Sequence, residues 1–253
     1  MSSEHLEYNC DTNPYPSFGK KYNGEKAVIS LTSWKARINI VSKTLFSLVK
    51  NCPGFHIVLV LSEEEFPRKE DELPKDLRLL IDNKSIEILW VYKNYKSFKK
   101  VLFTMDKYRS VPVISADDDC IYTCDYAEKL YESWYKDQKC INTINLYNEF
   151  NVNFSHGPAT IFPNDCFKKH GIAYLENNIL KTNHDDVYYG CLAKKYNIEI
   201  KNIDNNIPYL VHNDYLALSS SNKISVKKAY DIINSIILKL AMAKDHCHSQ
   251  CLF

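Results

Sequence analysis

Apolar positions fall into two rhythms along the chain. Compact runs at Ala27 to Leu31, His56 to Ser62, Ile86 to Val91, Val111 to Ile114, Ile141 to Leu146 and Ala159 to Phe162 are too short for helices and read as buried strands. Between them the spacing turns helical. Ile40, Leu45, Leu48 and Val49 predict a helix that stops at Asn51-Cys52-Pro53-Gly54, and Val101 to Tyr108 and Tyr126 to Tyr135 predict two more. A helix opening at His184 runs through Leu192 and Ala193, Tyr209-Leu210-Val211 is another strand, and Val226 to Leu240 is a last amphipathic helix. Glu63 to Asp76, charged and carrying Pro67 and Pro74, predicts a loop or short helical excursion. Strand, helix and strand joined by short connections predict right-handed βαβ units, hence an α/β fold with a mainly parallel sheet flanked by helices. The 253 residues fit one domain with appendages: an arm over residues 1–25, a domain over 26–222, and a helix with its tail over 223–253.

Composition narrows the function classes. Lys and Arg number 32 against 31 Asp and Glu, a net charge of +1, so nothing pulls the chain toward nucleic acid and any anionic partner must be met locally. No apolar run has transmembrane length, and the polar start from Met1 to Tyr15 lacks a signal-peptide pattern, so the expected location is the cytoplasm. Nine scattered cysteines read as reduced thiols rather than a disulfide framework. The cluster His246, Cys247, His248 and Cys251 lacks a second ligand pair at finger spacing and fits adventitious metal binding or a frayed end better than a zinc site.

Chemistry concentrates at strand ends. The run Val111 to Ile114 leads through Ser115-Ala116 into Asp117-Asp118-Asp119, three carboxylates with no cation beside them in sequence. At the carboxyl end of a strand such a triplet fits a hard divalent cation held against a diphosphate, or equally an acidic turn before a helix. The first strand runs into Thr32-Ser33-Trp34-Lys35-Ala36-Arg37, a hydroxyl-rich basic loop suited to phosphate or a base. Lys93, Lys96, Lys99 and Lys100 gather just before the helix at Val101, either at the mouth of a site or along a solvated helix face. Ser155, His156, Gly157 and Pro158 form a turn that fits the floor of an acceptor pocket or a buried, hydrogen-bonded histidine. Asp185 and Asp186 open a helix, where the macrodipole alone favours acids, yet one of two adjacent carboxylates can cap while the other acts as a general base. His212 follows a strand and fits either a metal ligand or a structural histidine. The last helix carries Lys227, Lys228, Lys239 and Lys244 and suits core packing or peripheral contact with the inner face of an anionic membrane.

Four segments together, Val28 to Trp34 with Arg37, Ser97 to Lys100, Ser115 to Asp119 and His184 to Asp186, resemble bacterial GT-A-fold glycosyltransferases of capsule and lipopolysaccharide loci. The resemblance spans roughly residues 27 to 215 and implies a GT-A-like, Rossmann-like single domain, with a nucleotide-sugar half over 26–120 and an acceptor half over 121–222. It implies that Asp117 and Asp119 match that superfamily's Asp-any-Asp motif and hold Mn²⁺ or Mg²⁺, with Asp118 between them and His212 as third ligand. Thr32, Ser33, Trp34, Arg37, Lys99, Lys100, Asp117 and Asp118 would bind the nucleotide-sugar donor, a UDP-sugar favoured; His156 and Gly157 would meet a glycan or lipid-linked acceptor. Asp185-Asp186-Val187 is similar to the Glu-Asp-Val segment of Fringe-type inverting transferases, which implies Asp186 as base; Asp185 stands where those enzymes carry Glu and remains a second candidate. The rival classes are a sugar nucleotidyltransferase, weakened because Leu31 to Arg37 contains no Gly, and a non-catalytic module that binds glycans or a partner.

Overall fold

The computed structural model describes residues 26–144, 156–167, 170–175, 177–203, 209–211 and 224–250. The first half runs β1 (Val28–Thr32), α1 (Val41–Asn51), β2 (His56–Ser62), α2 (Lys75–Asp82), β3 (Glu87–Val91), α3 (Lys99–Lys107) and β4 (Val113–Ser115). The second half runs β5 (Cys120–Tyr122), α4 (Tyr126–Lys136), β6 (Ile141–Thr143), β7 (Thr160–Phe162), the short α5 (His170–Ala173) and α6 (Asn177–Leu180), α7 (Asp185–Lys195), β8 (Ile200–Asn202), β9 (Tyr209–Val211) and α8 (Val226–Gln250).

Seven strands form one mixed sheet in the order β3-β2-β1-β4-β7-β6-β8, while β5 and β9 pair as a separate two-stranded ribbon. β1 lies parallel to both β2 and β4, and β2 parallel to β3; β7 runs antiparallel to β4 and β6. The chain winds outward from β1 through β2 to β3, then returns across α3 to place β4 on the other side of β1. The winding therefore reverses between β1 and β4, the kind of position where α/β sheets bind ligands beyond the carboxyl ends of their strands. Register brings Ser30 level with Ser115, so the loop after β1 and the triplet after β4 leave the sheet side by side.

Alternation along β1 divides the core. Ile29 and Leu31 pack with Leu45, Leu48, Leu59 and Ile114 on one face, whereas Val28 joins Val58, Val60 and Val91 on the other. Ser30 also faces α3, and there its hydroxyl donates to the Lys100 carbonyl at 2.5 Å and lies 2.7 Å from the Thr104 hydroxyl. With its own proton so used, Ser30 accepts the proton of Thr104, and this buried pair pins α3 to the sheet. A third apolar cluster joins Phe98, Val101 and Leu102 of the α3 region to Tyr188, Tyr189 and Leu192 of α7 and Ala229, Ile233 and Ile237 of α8.

Several boundaries differ from expectation. Within Glu63 to Asp76 lie a 3₁₀ turn at Lys69–Glu72 and the start of α2, where Leu77 and Leu80 alone are buried, too thin a stripe to stand out. α3 begins at Lys99 rather than after it, so Lys99 and Lys100 sit on the helix and are buried. β5 and β8 were not predicted. The expected strand from Ile141 is β6, while residues 145 and 146 and the arm 1–25 lie outside the described residues.

At the opposite end of the sheet from the switch point, Glu87 gathers three donors: His56 Nε2 at 3.0 Å, the Tyr108 hydroxyl, and Lys107 Nζ at 2.5 Å. Burial pushes this carboxyl up, but the hydrogen bonds from His56, Lys107 and Tyr108 outweigh it and hold it down at about 2. A depressed carboxylate stabilises the fold above its unfolded pKa, and that share is lost as pH falls through the folded one. Glu87→Gln should therefore lower the free energy of unfolding at pH 7 by about 1–2 kcal/mol, allowing for solvent screening. In urea titrations the gap to the unsubstituted protein should close between pH 4.5 and 2; a gap unchanged by pH would show that the carboxylate charge is not what matters.

Candidate functional site

The three carboxylates after β4 each find a different partner. Asp118 turns inward and is 6 % exposed; its Oδ2 accepts from the Ser33 hydroxyl at 2.6 Å and its Oδ1 lies 3.2 Å from Arg37 Nη1. Arg37 reaches Asp119 with its other terminal nitrogen, and Lys100 Nζ donates to Asp117 Oδ1 at 2.7 Å. The triplet has no cation beside it in sequence; its counter-ions arrive from the loop after β1 and from α3, many residues away. Two backbone ties fix the turn, the Asp117 N–H donating to the Tyr122 hydroxyl at 2.7 Å and the Thr44 hydroxyl donating to the Asp118 carbonyl at 3.0 Å.

Burial and charge together set the protonation of these groups. Asp118 is pushed up to about 6 by burial, against the opposing pull of Arg37 and Ser33. Burial also drives Lys99 down to about 8; its Nζ donates to the Lys96 carbonyl at 3.1 Å and stands 3.9 Å from Glu65. Lys100 moves the other way, because Asp117 and Asp185 outweigh the cost of its burial and raise it.

Across the cleft, β7 is entered through His156 and Gly157, and Ser115 of β4 donates to the His156 carbonyl at 2.6 Å. Asp186 Oδ1 accepts twice from His156, from its backbone N–H at 2.8 Å and from Nδ1 at 2.5 Å. Asp185 Oδ2 stands 3.3 Å from Nε2 of the same ring. The imidazole rests edge-on against Tyr189, ring centres 4.7 Å apart. The two acids are thus drawn toward the imidazole, and the N-cap residue of α7, His184, makes no side-chain capping bond. Burial and the charge of Asp186 raise the Asp185 carboxyl despite His156; for Asp186 burial is outweighed by His156 and the carboxyl is held low.

All of these groups face one cleft of about 490 Å³. It brings together every described residue proposed from sequence: Thr32, Ser33, Trp34 and Arg37 from the first loop; Lys99 and Lys100 from α3; Asp117, Asp118 and Asp119; His156 and Gly157; Asp185 and Asp186. His212 lies outside the described residues; Val211 before it pairs with Cys120, the residue after Asp119. The cleft also takes Glu65, Asn94 and Asn183, which sequence reasoning missed. Glu65 and Asn94 follow the carboxyl ends of β2 and β3, so the strand-end rule applied to every parallel strand would have found both. Lys96 ties the cleft's two walls, its Nζ donating to the Leu180 carbonyl at 2.8 Å and to the Asn183 side chain.

Two groups of side chains have ligand atoms close enough to share an ion, Asp117 with Asp119 and Cys120, and His156 with Asp185 and Asp186. In the first group burial keeps the Cys120 thiol protonated, and each aspartate gives one oxygen to Lys100 or Arg37. The second oxygen of Asp117 remains, and that of Asp119 accepts only the weak hydrogen bond of the Cys120 thiol at 3.7 Å, so the pair fits a hard divalent cation with oxygen ligands.

No protein-family model and no curated protein matches the chain. Among solved structures it is similar to S. aureus TarS 1–349 in complex with UDP-GlcNAc, at 13 % identity and a TM-score of 0.58 over 84 % of this chain and 65 % of that one. The same protein in complex with UDP gives 10 % identity and a TM-score of 0.53, covering 84 % of this chain and 70 % of that one. A further TarS 1–349 structure gives 13 % and 0.52, covering 74 % and 60 %. The chain thus spans about two thirds of the length of the first of these structures. At such identity the likeness is one of fold: a GT-A-like mixed, mainly parallel sheet with flanking helices in a single domain.

Removing one member of a buried ion pair strands the other. Arg37→Met should lower the free energy of unfolding by about 3 kcal/mol, and adding Asp118→Asn should recover a good part of it. Denaturant titrations of the single and double variants measure this; strictly additive losses would show that the two side chains are not coupled.

Proposed function

We propose that the chain is a nucleotide-sugar-dependent glycosyltransferase. It moves a sugar from its donor, a UDP-sugar favoured, to a hydroxyl of a glycan or lipid-linked acceptor in capsule or lipopolysaccharide synthesis. The observation that carries the reading is the cleft itself. It sets Asp117 and Asp119, the cations Arg37, Lys99 and Lys100, and the Asp185–Asp186 pair around one space at the switch point of a GT-A-like sheet. The UDP and UDP-GlcNAc named for the TarS structures support a nucleotide-sugar as its occupant.

In this reading Asp117 and Asp119 would hold Mn²⁺ or Mg²⁺, with His212 as a further ligand, and the bound ion would supply positive charge for the leaving diphosphate. The chain's own groups do the rest. Arg37, Lys99 and Lys100 hold the diphosphate end of the donor, Thr32 and Ser33 line its path, and Trp34, whose indole N–H has no hydrogen-bond partner among the described residues, meets the base or sugar. The acceptor enters over His156 and Gly157. Its hydroxyl gives its proton to Asp186, which His156 keeps ionised and oriented, while the oxygen forms the new bond to the anomeric carbon. The bond from that carbon to the diphosphate oxygen breaks with its electron pair, and displacement from the opposite face inverts the centre. Peripheral contact with the inner face of a membrane is supported by α8, whose Lys227, Lys228, Lys239 and Leu238 are exposed. Among the described residues no helix is long and apolar enough to cross a membrane.

A thermal-shift screen of nucleoside diphosphates and their sugars, with and without Mn²⁺, tests the reading. One nucleotide should raise the midpoint in a Mn²⁺-dependent way, and Asp119→Ala should abolish the shift; no response to any nucleotide would overturn it. Asp186→Asn should keep donor binding yet lower transfer about 10²- to 10⁴-fold. Lys99 supplies a pH test: diphosphate affinity should fall as pH rises past about 8 and the ammonium loses its proton. Lys99→Arg, charged throughout, should hold that affinity to pH 9. Equal pH profiles for the two proteins would remove Lys99 from the diphosphate site.

A further inference from the structure

His156 is 2 % exposed, and its two ring nitrogens are treated unequally. Nδ1 is committed to Asp186 at 2.5 Å. Nε2 is buried and, among the described residues, has no hydrogen-bond partner; Asp185 Oδ2 lies 3.3 Å away but outside hydrogen-bond geometry. In the neutral ring, a proton on Nδ1 leaves Nε2 as a bare lone pair. A nitrogen and a carboxylate oxygen separated this way match two ligands of one ion. With metal–ligand bonds of about 2.1 Å, their spacing subtends roughly 100° at the metal, between octahedral and tetrahedral angles.

We propose that His156 Nε2 and Asp185 Oδ2 form a binding position for one divalent first-row transition ion, distinct from the Asp117–Asp119 carboxylates. Asp186 then acts as the outer carboxylate that fixes the imidazole through Nδ1, the support that metal-binding histidines ordinarily have. Charge favours the position. Six carboxylates and four lysine or arginine side chains line the cleft, leaving two negative charges before any nucleotide arrives. Asp117 and Asp119 pair directly with Lys100 and Arg37, whereas among the described residues no lysine or arginine pairs directly with Asp185, which Lys100 influences from farther off. The imidazole nitrogen selects Mn²⁺, Co²⁺ or Zn²⁺ over Mg²⁺ and Ca²⁺. An ion held there would place a Lewis acid beside Asp186, whose carboxylate keeps its hydrogen bonds from the His156 Nδ1 and backbone N–H.

Metal binding is read without turnover, so the test stands apart from the transferase reading. In the full chain labelled with ¹⁵N-histidine, long-range ¹H–¹⁵N spectra should show His156 protonated on Nδ1 and bare on Nε2. One equivalent of Zn²⁺ should move the Nε2 signal and leave Nδ1 protonated, and Mg²⁺ should move neither. Comparison with His156→Gln assigns the signal and separates it from His246 and His248 near the C terminus. By calorimetry, Asp119→Asn should retain this Zn²⁺ equivalent, His156→Gln and Asp185→Asn should each lose it, and Asp186→Asn should bind about 10- to 100-fold more weakly. An Nε2 signal indifferent to Zn²⁺, or an imidazolium that persists in its presence, overturns the proposal. Should His156→Gln fail to fold, Asp185→Asn decides the stoichiometry.

Discussion

Everything at the cleft depends on how three adjacent carboxylates are made tolerable in a largely buried place. Side by side at the end of a strand, they would repel one another and shift toward protonation. Arg37 and Lys100 offset the repulsion, though for Asp118 not the cost of burial, by approaching from opposite sides of the sheet, one before α1 and the other from the first turn of α3. Each cation is itself buried, so neither partner is stable without the other. The cleft is therefore built by mutual charge compensation among elements distant in sequence, with the parallel strands β1 and β4 serving as the frame that sets their spacing.

The same frame explains what was legible beforehand. β1, α1, β2, α3 and α4 stand close to where periodicity put them, because each buries a stripe wide enough to leave a rhythm. Asp117 to Asp119 were visible as a strand-end cluster. Their counter-ions were not, since a salt bridge between Arg37 and Asp119 leaves no local pattern at either end. Sequence alone left Lys99 and Lys100 between the mouth of a site and a solvated helix face; only the position of α3 over β1 and β4 shows why these two are enclosed. Glu65 and Asn94 were missed for another reason: single polar residues after strands are common, and their meaning comes from the strands' shared direction.

The two walls of the cleft differ in kind. The wall formed by Arg37, Lys99, Lys100 and the triplet is rich in paired charge and suits a polyanion whose own charge reorganises those pairs. The wall formed by His156, Asp185 and Asp186 carries two acids and one imidazole backed by Tyr189 and Phe162, so its groups are oriented by aromatic packing as well as by charge. Lys96 spans the two, bonded to the segment before α7, and couples their positions.

The His56–Glu87–Tyr108 knot lies at the far end of the sheet from all of this. A crowded cleft of buried charges is a costly arrangement, and residues there that change to suit a new ligand tend to lower stability. Such changes persist only while the rest of the fold holds a reserve. In evolutionary terms, that knot at the quiet end of the sheet helps to set how far the cleft can drift in sequence, and so how many different ligands descendants of this chain can come to accept.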